Sequence, residues 1–213
     1  MSLMTAGETE CIERNVGLVK SYLEWGAGAS TVFAATQSNI SRIFSVESSE
    51  EFFNSSVLSD AGVRNALASD RLEYRVVNIG KCKEWGIPVN ADNSHFWPNY
   101  ALCPFVNKNA HYELALIDGR FRVACGLACF LSGQVDKVLI HDYSNRKEYH
   151  VLERFAVVEE RIDRLVVLRK RSDALVSSMQ KLLQIYNQMP NDVVFNPTFP
   201  NKLAFRVKRL LIN

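Results

Sequence analysis

No apolar run in this chain reaches the roughly 18 residues that a membrane-spanning helix requires, so no span is expected. Met1 to Thr9 has neither a basic start nor an apolar block. No signal peptide is therefore expected, and a cytoplasmic location is. Excess charge is also lacking: 25 Lys and Arg stand against 23 Asp and Glu, a net charge of +2. That balance predicts no strong pull on nucleic acid or a membrane surface, so no nucleic-acid partner is expected. The charge is uneven, with acids prevailing before Arg75 and bases after Arg154. There is no C-x-x-C pair among the five cysteines. An odd number without that spacing reads as small buried hydrophobes in a reducing compartment. Repeats, low-complexity segments and any recognisable nucleophile motif are missing as well.

What is present is a globular composition, 47% hydrophobic over 213 residues, enough for one domain with a real core. Apolar residues at Cys11, Ile12, Val16 and Val19 predict a leading helix. Short β-prone runs then alternate with helical ones. Strands are predicted at Tyr22–Leu23, Arg42–Glu47, Leu72–Asn78, Tyr112–Asp118 and Asp136–Asp142. Helices are predicted after Ser30-Thr31, after the Ser48-Ser49-Glu50-Glu51 cap, near Ala61–Leu67, over Val123–Leu131 and over Lys147–Phe155. Val157–Arg161 and Leu165–Lys170, around Ile162-Asp163-Arg164, predict a terminal β-hairpin. Leu175–Met189 predicts a last helix, and Lys202–Leu211 a basic amphipathic end. Alternation of this kind implies a doubly wound α/β fold with a mostly parallel sheet. Gly80–Lys108 stands apart: a long segment rich in aromatics and prolines, read as part of a pocket or its lid.

The stretch Lys20–Ala35 organises the rest. A short strand meets Glu24. Gly26 and Gly28 follow with one residue between them, and Ser30 opens a helix. Glycine permits positive φ and close approach of a ligand to the backbone. A helix start offers unpaired N–H groups. Glu24, Glu47, Asn78, Asp118 and Asp142 end the strands, where an open α/β sheet binds its ligand. The dinucleotide fingerprint wants a third glycine where Thr31 stands. An acid before the first glycine suits a cationic amino group better than a pyrophosphate. Glu47, 19 residues beyond Gly28, suits the hydroxyls of a ribose. The pair points to an aminoacyl nucleoside.

The pattern E-W-G-A-G-A-S, followed after one helix by S-V-E-S, resembles the glycine motif and second-strand acid of class I S-adenosylmethionine-dependent methyltransferases. The hairpin near Ile162–Arg164 is similar to the reversed last strand of that fold. The resemblance covers about Val19 to Arg171. It implies a Rossmann-like, seven-stranded sheet with a C-terminal antiparallel strand, and S-adenosylmethionine as cofactor. By this likeness Glu24, Gly26, Gly28 and Ser30 cradle the methionine part and Glu47 holds the ribose. Asn78, where the family often has an acid, meets the adenine amino group through its carbonyl. I-D-G-R-F-R-V-A-C at Ile117–Cys125, H-D-Y-S-N-R at His141–Arg146 and W-G-I-P at Trp85–Pro88 look like a small methyltransferase-like group whose acceptor is open.

Asp118, His141 and Asp142 make the second constellation, at the ends of two strands expected side by side. Metal-dependent O-methyltransferases look similar here, which implies Asp118 and Asp142 as Mg²⁺ ligands; such enzymes of the catechol type have Asn where Tyr143 stands. Alternatively, Asp118 or His141 is a general base on an acceptor hydroxyl, or the two aspartates cap the helices that follow. Arg120, Arg122 and Arg146 suit an anionic acceptor group, or else pair with those aspartates. The expected protein is a methyltransferase on a small-molecule acceptor at oxygen, with a homodimer possible. Residues 1–171 are expected to form the cofactor domain and 172–213 a helix and basic tail. A non-catalytic binding module using Lys202–Arg209 is the alternative. A nicotinamide-dependent oxidoreductase fits less well with Glu24 and the missing glycine.

Overall fold

The computed structural model describes residues 4–190. The chain starts with α1 (Ala6–Val16), β1 (Ser21–Trp25), α2 (Ala29–Thr36) and β2 (Arg42–Glu47). A helical turn, α3 (Glu50–Phe52), runs through a π-helical turn Phe53–Val57 to α4 (Ala61–Ala68) and β3 (Leu72–Val76). A small flap follows, β4 (Cys82–Lys83) and β5 (Ile87–Pro88), then α5 (Trp97–Leu102). The second half holds β6 (Tyr112–Ile117), α6 (Arg122–Ser132), β7 (Val135–Ile140), β8 (Ala156–Ile162), β9 (Leu165–Lys170) and α7 (Val176–Tyr186).

Seven strands form one sheet in the order β3-β2-β1-β6-β7-β9-β8. β1, β2, β3, β6 and β7 run parallel. β9 pairs antiparallel with both β7 and β8. This is the expected Rossmann-like sheet with its reversed strand. Strand order turns at β1: β2 and β3 lie to one side, β6 and β7 to the other. The crevice at such a reversal is where open α/β sheets take ligands.

Alternation along the strands divides the core into two layers. On β1, Tyr22 joins the layer under α1, α2 and α4, while Leu23 and Trp25 join the layer under α5, α6 and α7. Local chemistry sets the helix starts. Thr5 and Glu8 form a reciprocal capping box on α1. Ser49 caps α3 through the Phe52 N–H at 3.1 Å, and Asp60 caps α4 through the Val63 N–H at 3.1 Å.

Two expectations change. Lys147–Phe155 is a 3-10 stretch, Lys147–Arg154, rather than an amphipathic α-helix. Its buried Tyr149 and Leu152 are three residues apart, the period of that tighter helix. The aromatic segment is also less open than its composition suggests. Trp97, Tyr100 and Phe105 are core residues. The Trp97 indole N–H donates to the Ile79 carbonyl at 2.8 Å, and the Trp25 indole to the Tyr100 carbonyl at 2.7 Å. A large ring whose one polar atom finds a backbone partner is stable inside. Only Trp85 and Phe96 of this group stay substantially exposed. α7 packs on α6, burying Met179, Leu182 and Tyr186. The basic tail Lys202–Leu211 lies outside the described residues.

Candidate functional site

The turn after β1 is built around a close backbone approach. Gly26 has φ +90°, and a Cβ there would lie 2.8 Å from the Gly119 nitrogen. Gly119 is equally tight, because its own Cβ would meet the Gly26 nitrogen at 3.0 Å and the Tyr100 hydroxyl oxygen closer still. The ends of β1 and β6 therefore touch where side chains have no room. Gly28 is different. Its backbone is extended, and a Cβ added to it would meet nothing within 4 Å. One glycine serves the protein's own packing, and the other leaves open space at the start of α2.

Glu24 holds this turn from below. Its side chain is fully buried. One carboxylate oxygen accepts the hydroxyls of Tyr22 at 3.0 Å and Ser30 at 2.8 Å. The other accepts those of Thr31 and of Ser45, the latter at 2.8 Å. Burial pushes the Glu24 carboxyl above its ordinary value, and the hydroxyl donors work against that rise. Thr31 Oγ1 also accepts the Gly28 N–H at 2.9 Å. The Thr31 side chain thus ties the acid to the glycine turn, at the position where a dinucleotide fingerprint has its third glycine. Glu24 and Ser30, both expected to meet a ligand, hydrogen-bond each other, and open space remains beside the Gly28 backbone.

Glu47 reaches the same turn from β2. Its Oε2 accepts the Ala27 N–H at 3.1 Å. Its Oε1 accepts the backbone N–H groups of Ser48 and Ser49 at 2.6 and 3.0 Å and the Ser48 hydroxyl at 3.1 Å. Oε2 keeps an acceptor direction, since a carboxylate offers about four. Asn78 is exposed, and its carbonyl oxygen accepts the Gly80 N–H and the Asn93 amide at 2.9 and 3.1 Å. It ties down the base of the flap. The flap's tip lies across the crevice: a Cβ on Gly86 would stand 3.5 Å from Ser48 Oγ and 3.8 Å from Arg120 Cγ. Ser48 follows β2 and Arg120 follows β6, the two strands beside β1. The flap therefore spans the glycine turn.

Across the crevice, β6 and β7 bring Asp118, His141 and Asp142 together as expected, with candidate ligand atoms within 4.8 Å of one another. Arg122 joins them, one of the two roles the sequence left open for it, whereas Glu8 and Arg164 were not anticipated there. His141 is buried; its Nδ1 faces Asp118 Oδ1 at 2.9 Å and its Nε2 faces Glu8 Oε2 at 3.3 Å. Glu8 comes from α1, and the Arg164 backbone N–H donates to it at 2.8 Å. Arg122, also buried, bonds Asp142 Oδ2 at 3.0 Å, lies 3.2 Å from Asp118 Oδ1, and donates to the carbonyls of Asp118 and Gly119 at 3.0 Å each and to that of His141. Arg164 bonds Asp142 Oδ1 at 3.1 Å and Glu8 Oε2 at 3.3 Å. Asp142 itself sits at φ +55°, an uncommon conformation that this web of bonds holds in place.

The charges balance within the cluster. Burial alone lowers the affinity of His141 for its proton, but the hydrogen bond and charge of Asp118 and the charge of Asp142 outweigh it, so the imidazole is raised above its ordinary value. Burial lifts Asp142, yet Arg122 and His141 hold it below the usual carboxylate range. Glu8 is likewise lifted by burial and held low by the N–H groups of Thr5 and Arg164 and by His141. Two guanidiniums and an imidazole already serve the carboxylates. The expected Mg²⁺ site is not supported: among the described residues Arg122 and Arg164 already pair with the carboxylates that would hold a dication, which would have to displace them. Of the two arginine roles left open above, Arg122 takes the structural one. Arg146 lies with its guanidinium carbon 5.8 Å from the Tyr149 ring centre. The Thr5-x-x-Glu8 box ahead of an apolar helix was the one legible sign of Glu8, and it marks a cap, not a contact with β7.

No protein-family model matches the chain, and no curated protein matches it. Solved structures do. A methyltransferase-like protein from Silicibacter pomeroyi is 27% identical with a TM-score of 0.75, over 89% of this chain and 98% of that one. A candidate tRNA methyltransferase from Streptococcus pneumoniae is 13% identical with a TM-score of 0.50, over 98% of this chain and 87% of that one. A candidate methyltransferase from Streptococcus mutans, in complex with SAH, is 11% identical with a TM-score of 0.45, over 79% of this chain and 100% of that one. The expectation that excludes nucleic acid is thereby corrected: the same fold occurs in a protein described as acting on tRNA. The physical reason is that net charge averages over a whole surface, whereas an acceptor meets one crevice. Among the described residues, no helix is long and apolar enough to cross a membrane. Sheet order, reversed strand, glycine turn and structural likeness agree: this chain has the fold of the class I S-adenosylmethionine-dependent methyltransferases.

Proposed function

We propose that the protein is an S-adenosylmethionine-dependent methyltransferase acting on a hydroxyl oxygen. The observation that carries the cofactor reading is the open face of Gly28 beside the free acceptor direction of Glu47 Oε2. Backbone at Gly28 suits the methionine part, and Glu47 a ribose hydroxyl. The bound cofactor supplies an electrophilic methyl group that needs no further activation. What the protein adds is alignment, exclusion of water and a place for a proton. The flap across the glycine turn serves the first two.

Asp118 serves the third. Its side chain is 30% exposed. Oδ1 is held by His141 and Arg122, whereas Oδ2 has no protein partner among the described residues. Asp118 Oδ2 accepts the hydroxyl proton as the acceptor oxygen takes the methyl group. His141 is buried with a carboxylate at each ring nitrogen, so it orients Asp118 and does not touch the acceptor.

Calorimetric titration with S-adenosylmethionine, S-adenosylhomocysteine and NAD tests the cofactor reading. Saturable binding of the first two and none of NAD is expected; NAD binding alone sinks the proposal. Release of S-adenosylhomocysteine over a panel of hydroxylated acceptors tests the chemistry. Asp118→Asn is expected to keep cofactor affinity and lose turnover, and full turnover in that variant removes Asp118 as proton acceptor.

A further inference from the structure

The acid–arginine cluster uses Arg122 and Arg164; among the described residues, Arg120 stands outside it. Arg120 follows Gly119, which touches the glycine turn, and precedes Phe121, which is core. Its backbone N–H points to the Tyr100 hydroxyl at 3.4 Å. Among the described residues its guanidinium has neither a carboxylate nor a carbonyl partner. It is half-buried all the same. Removing part of a charge from water without a partner is unfavourable, so such an arginine is poised for an anion from outside.

The flap lies over this residue. A Cβ added to Gly86 would come within 3.8 Å of the Arg120 stem, and the thiol of Cys82 on the same flap is pushed up by burial and by Glu47 and drawn back by Arg120. Arg120 therefore stands under the flap and two residues from Asp118. Beside Gly86, Trp85 is 66% exposed and holds φ +64°. Positive φ is unusual for a bulky residue, and an exposed indole beside a crevice offers a flat apolar face. Packing does not require Trp85 there, since the core of this segment is made by Trp97, Tyr100 and Phe105.

We infer that Arg120 and Trp85 form the acceptor-recognition site, and that the acceptor carries a carboxylate or phosphate on a flat apolar ring. The inference rests on the methyltransferase reading and narrows it to a substrate class. Arg120 offers two parallel N–H donors to the anion, the geometry in which guanidinium is selective for oxyanions. Trp85 covers the ring. The acceptor hydroxyl then falls on the Asp118 side of the crevice.

The test uses the full chain saturated with S-adenosylhomocysteine. It is titrated calorimetrically with benzoate and phenyl phosphate, and with benzamide and phenol as uncharged counterparts. Saturable binding of at least one anion is expected, with its counterpart weaker by about tenfold or more, the scale of a charge-assisted hydrogen bond. The stronger of the two anions tells carboxylate from phosphate. Arg120→Gln is expected to weaken that anion about tenfold or more without changing S-adenosylhomocysteine affinity, and Trp85→Ala to weaken it severalfold. The inference is overturned if neither anion binds, if the uncharged counterparts bind equally well, or if Arg120→Gln binds the anions like the unaltered protein. It is also overturned if Arg120→Gln loses S-adenosylhomocysteine affinity, which would assign Arg120 to the cofactor. Failure of the unaltered protein to bind S-adenosylhomocysteine is a separate outcome and sinks the methyltransferase reading itself.

Discussion

Replacing Gly28 by Asp separates binding from folding, because the two glycines of the turn differ in what a side chain meets. At Gly26 a Cβ stands 2.8 Å from backbone that cannot yield, at φ +90°. Gly26→Ala is expected to lose about 1–2 kcal/mol to the left-handed conformation and about 1–3 kcal/mol to overpacking. At Gly28 the backbone is extended and nothing lies within 4 Å. Gly28→Asp is therefore expected to change the stability of the ligand-free protein by no more than about 0.5 kcal/mol. The same side chain fills the space where the proposed cofactor touches backbone, and it places a negative charge beside a carboxylate-bearing ligand. S-adenosylhomocysteine at 100 times its dissociation constant stabilises a protein by about 2.7 kcal/mol. For a chain of this size that is a rise in melting temperature of roughly 5–10 °C. Thermal unfolding with and without S-adenosylhomocysteine reads both quantities. The expected pattern is a large ligand shift in the unaltered protein, a normal ligand-free melting point and no shift for Gly28→Asp, and a lowered ligand-free melting point for Gly26→Ala. A ligand shift that survives in Gly28→Asp would refute the placement of the cofactor, and a ligand-free protein badly destabilised by that change would refute the claim that Gly28 is open.

Glu24→Ala removes the acceptor of four buried or half-buried hydroxyls; it is expected to destabilise by about 3 kcal/mol or more, since each stranded group costs about 1–3 kcal/mol, measured by urea unfolding. Arg122→Met leaves Asp118 and Asp142 with less compensation and is expected to lose about 3–5 kcal/mol by the same assay. The pH dependence of stability is set at both ends by the cluster. Asp142 and Glu8 are held low in the fold, so their contribution is present above the ordinary carboxylate values and is lost as pH falls through the folded ones. His141 is held high, so its contribution is present below the ordinary imidazole value and is lost as pH rises through the folded one. Stability is thus expected to peak in mildly acidic solution, and His141→Gln to flatten the fall on the alkaline side; an unchanged alkaline limb in that variant would count against the assignment. Adding Mg²⁺ or a chelator is expected to move neither the melting temperature nor cofactor affinity, and a Mg²⁺-dependent shift lost in Asp142→Asn would restore the metal site.

Local pattern in the sequence was enough for the strands of the main sheet, the glycine turn and the terminal hairpin, but not for the small flap strands β4 and β5. Each rests on neighbours in the chain: alternation, a cap, a glycine pair, an acid at the end of an apolar run. The meeting of Asp118 with His141 and Asp142 was legible too, because consecutive parallel strands in such a fold often lie side by side. Pattern misled where residues of one type face opposite ways. Trp85 and Trp97 are both aromatic residues in one loop, yet one is solvent-facing and the other core. Arg120 and Arg122 differ by two positions, and only Arg122 turns inward to the aspartates.

The linear chain by itself determined that a crevice forms at the carboxyl ends of these strands, and that glycine and carboxylate line it. Only the tertiary structure decided which of those groups face it. That Tyr22, Ser30, Thr31 and Ser45 converge on the buried Glu24 from four places in the chain was not legible in the sequence. Glu8 carried no functional signal in the sequence, yet it caps α1 and is also the far partner of His141, 133 residues away. Hydrogen bonding is decided by distances of about 3 Å, and packing sets those distances between segments that no sequence periodicity relates.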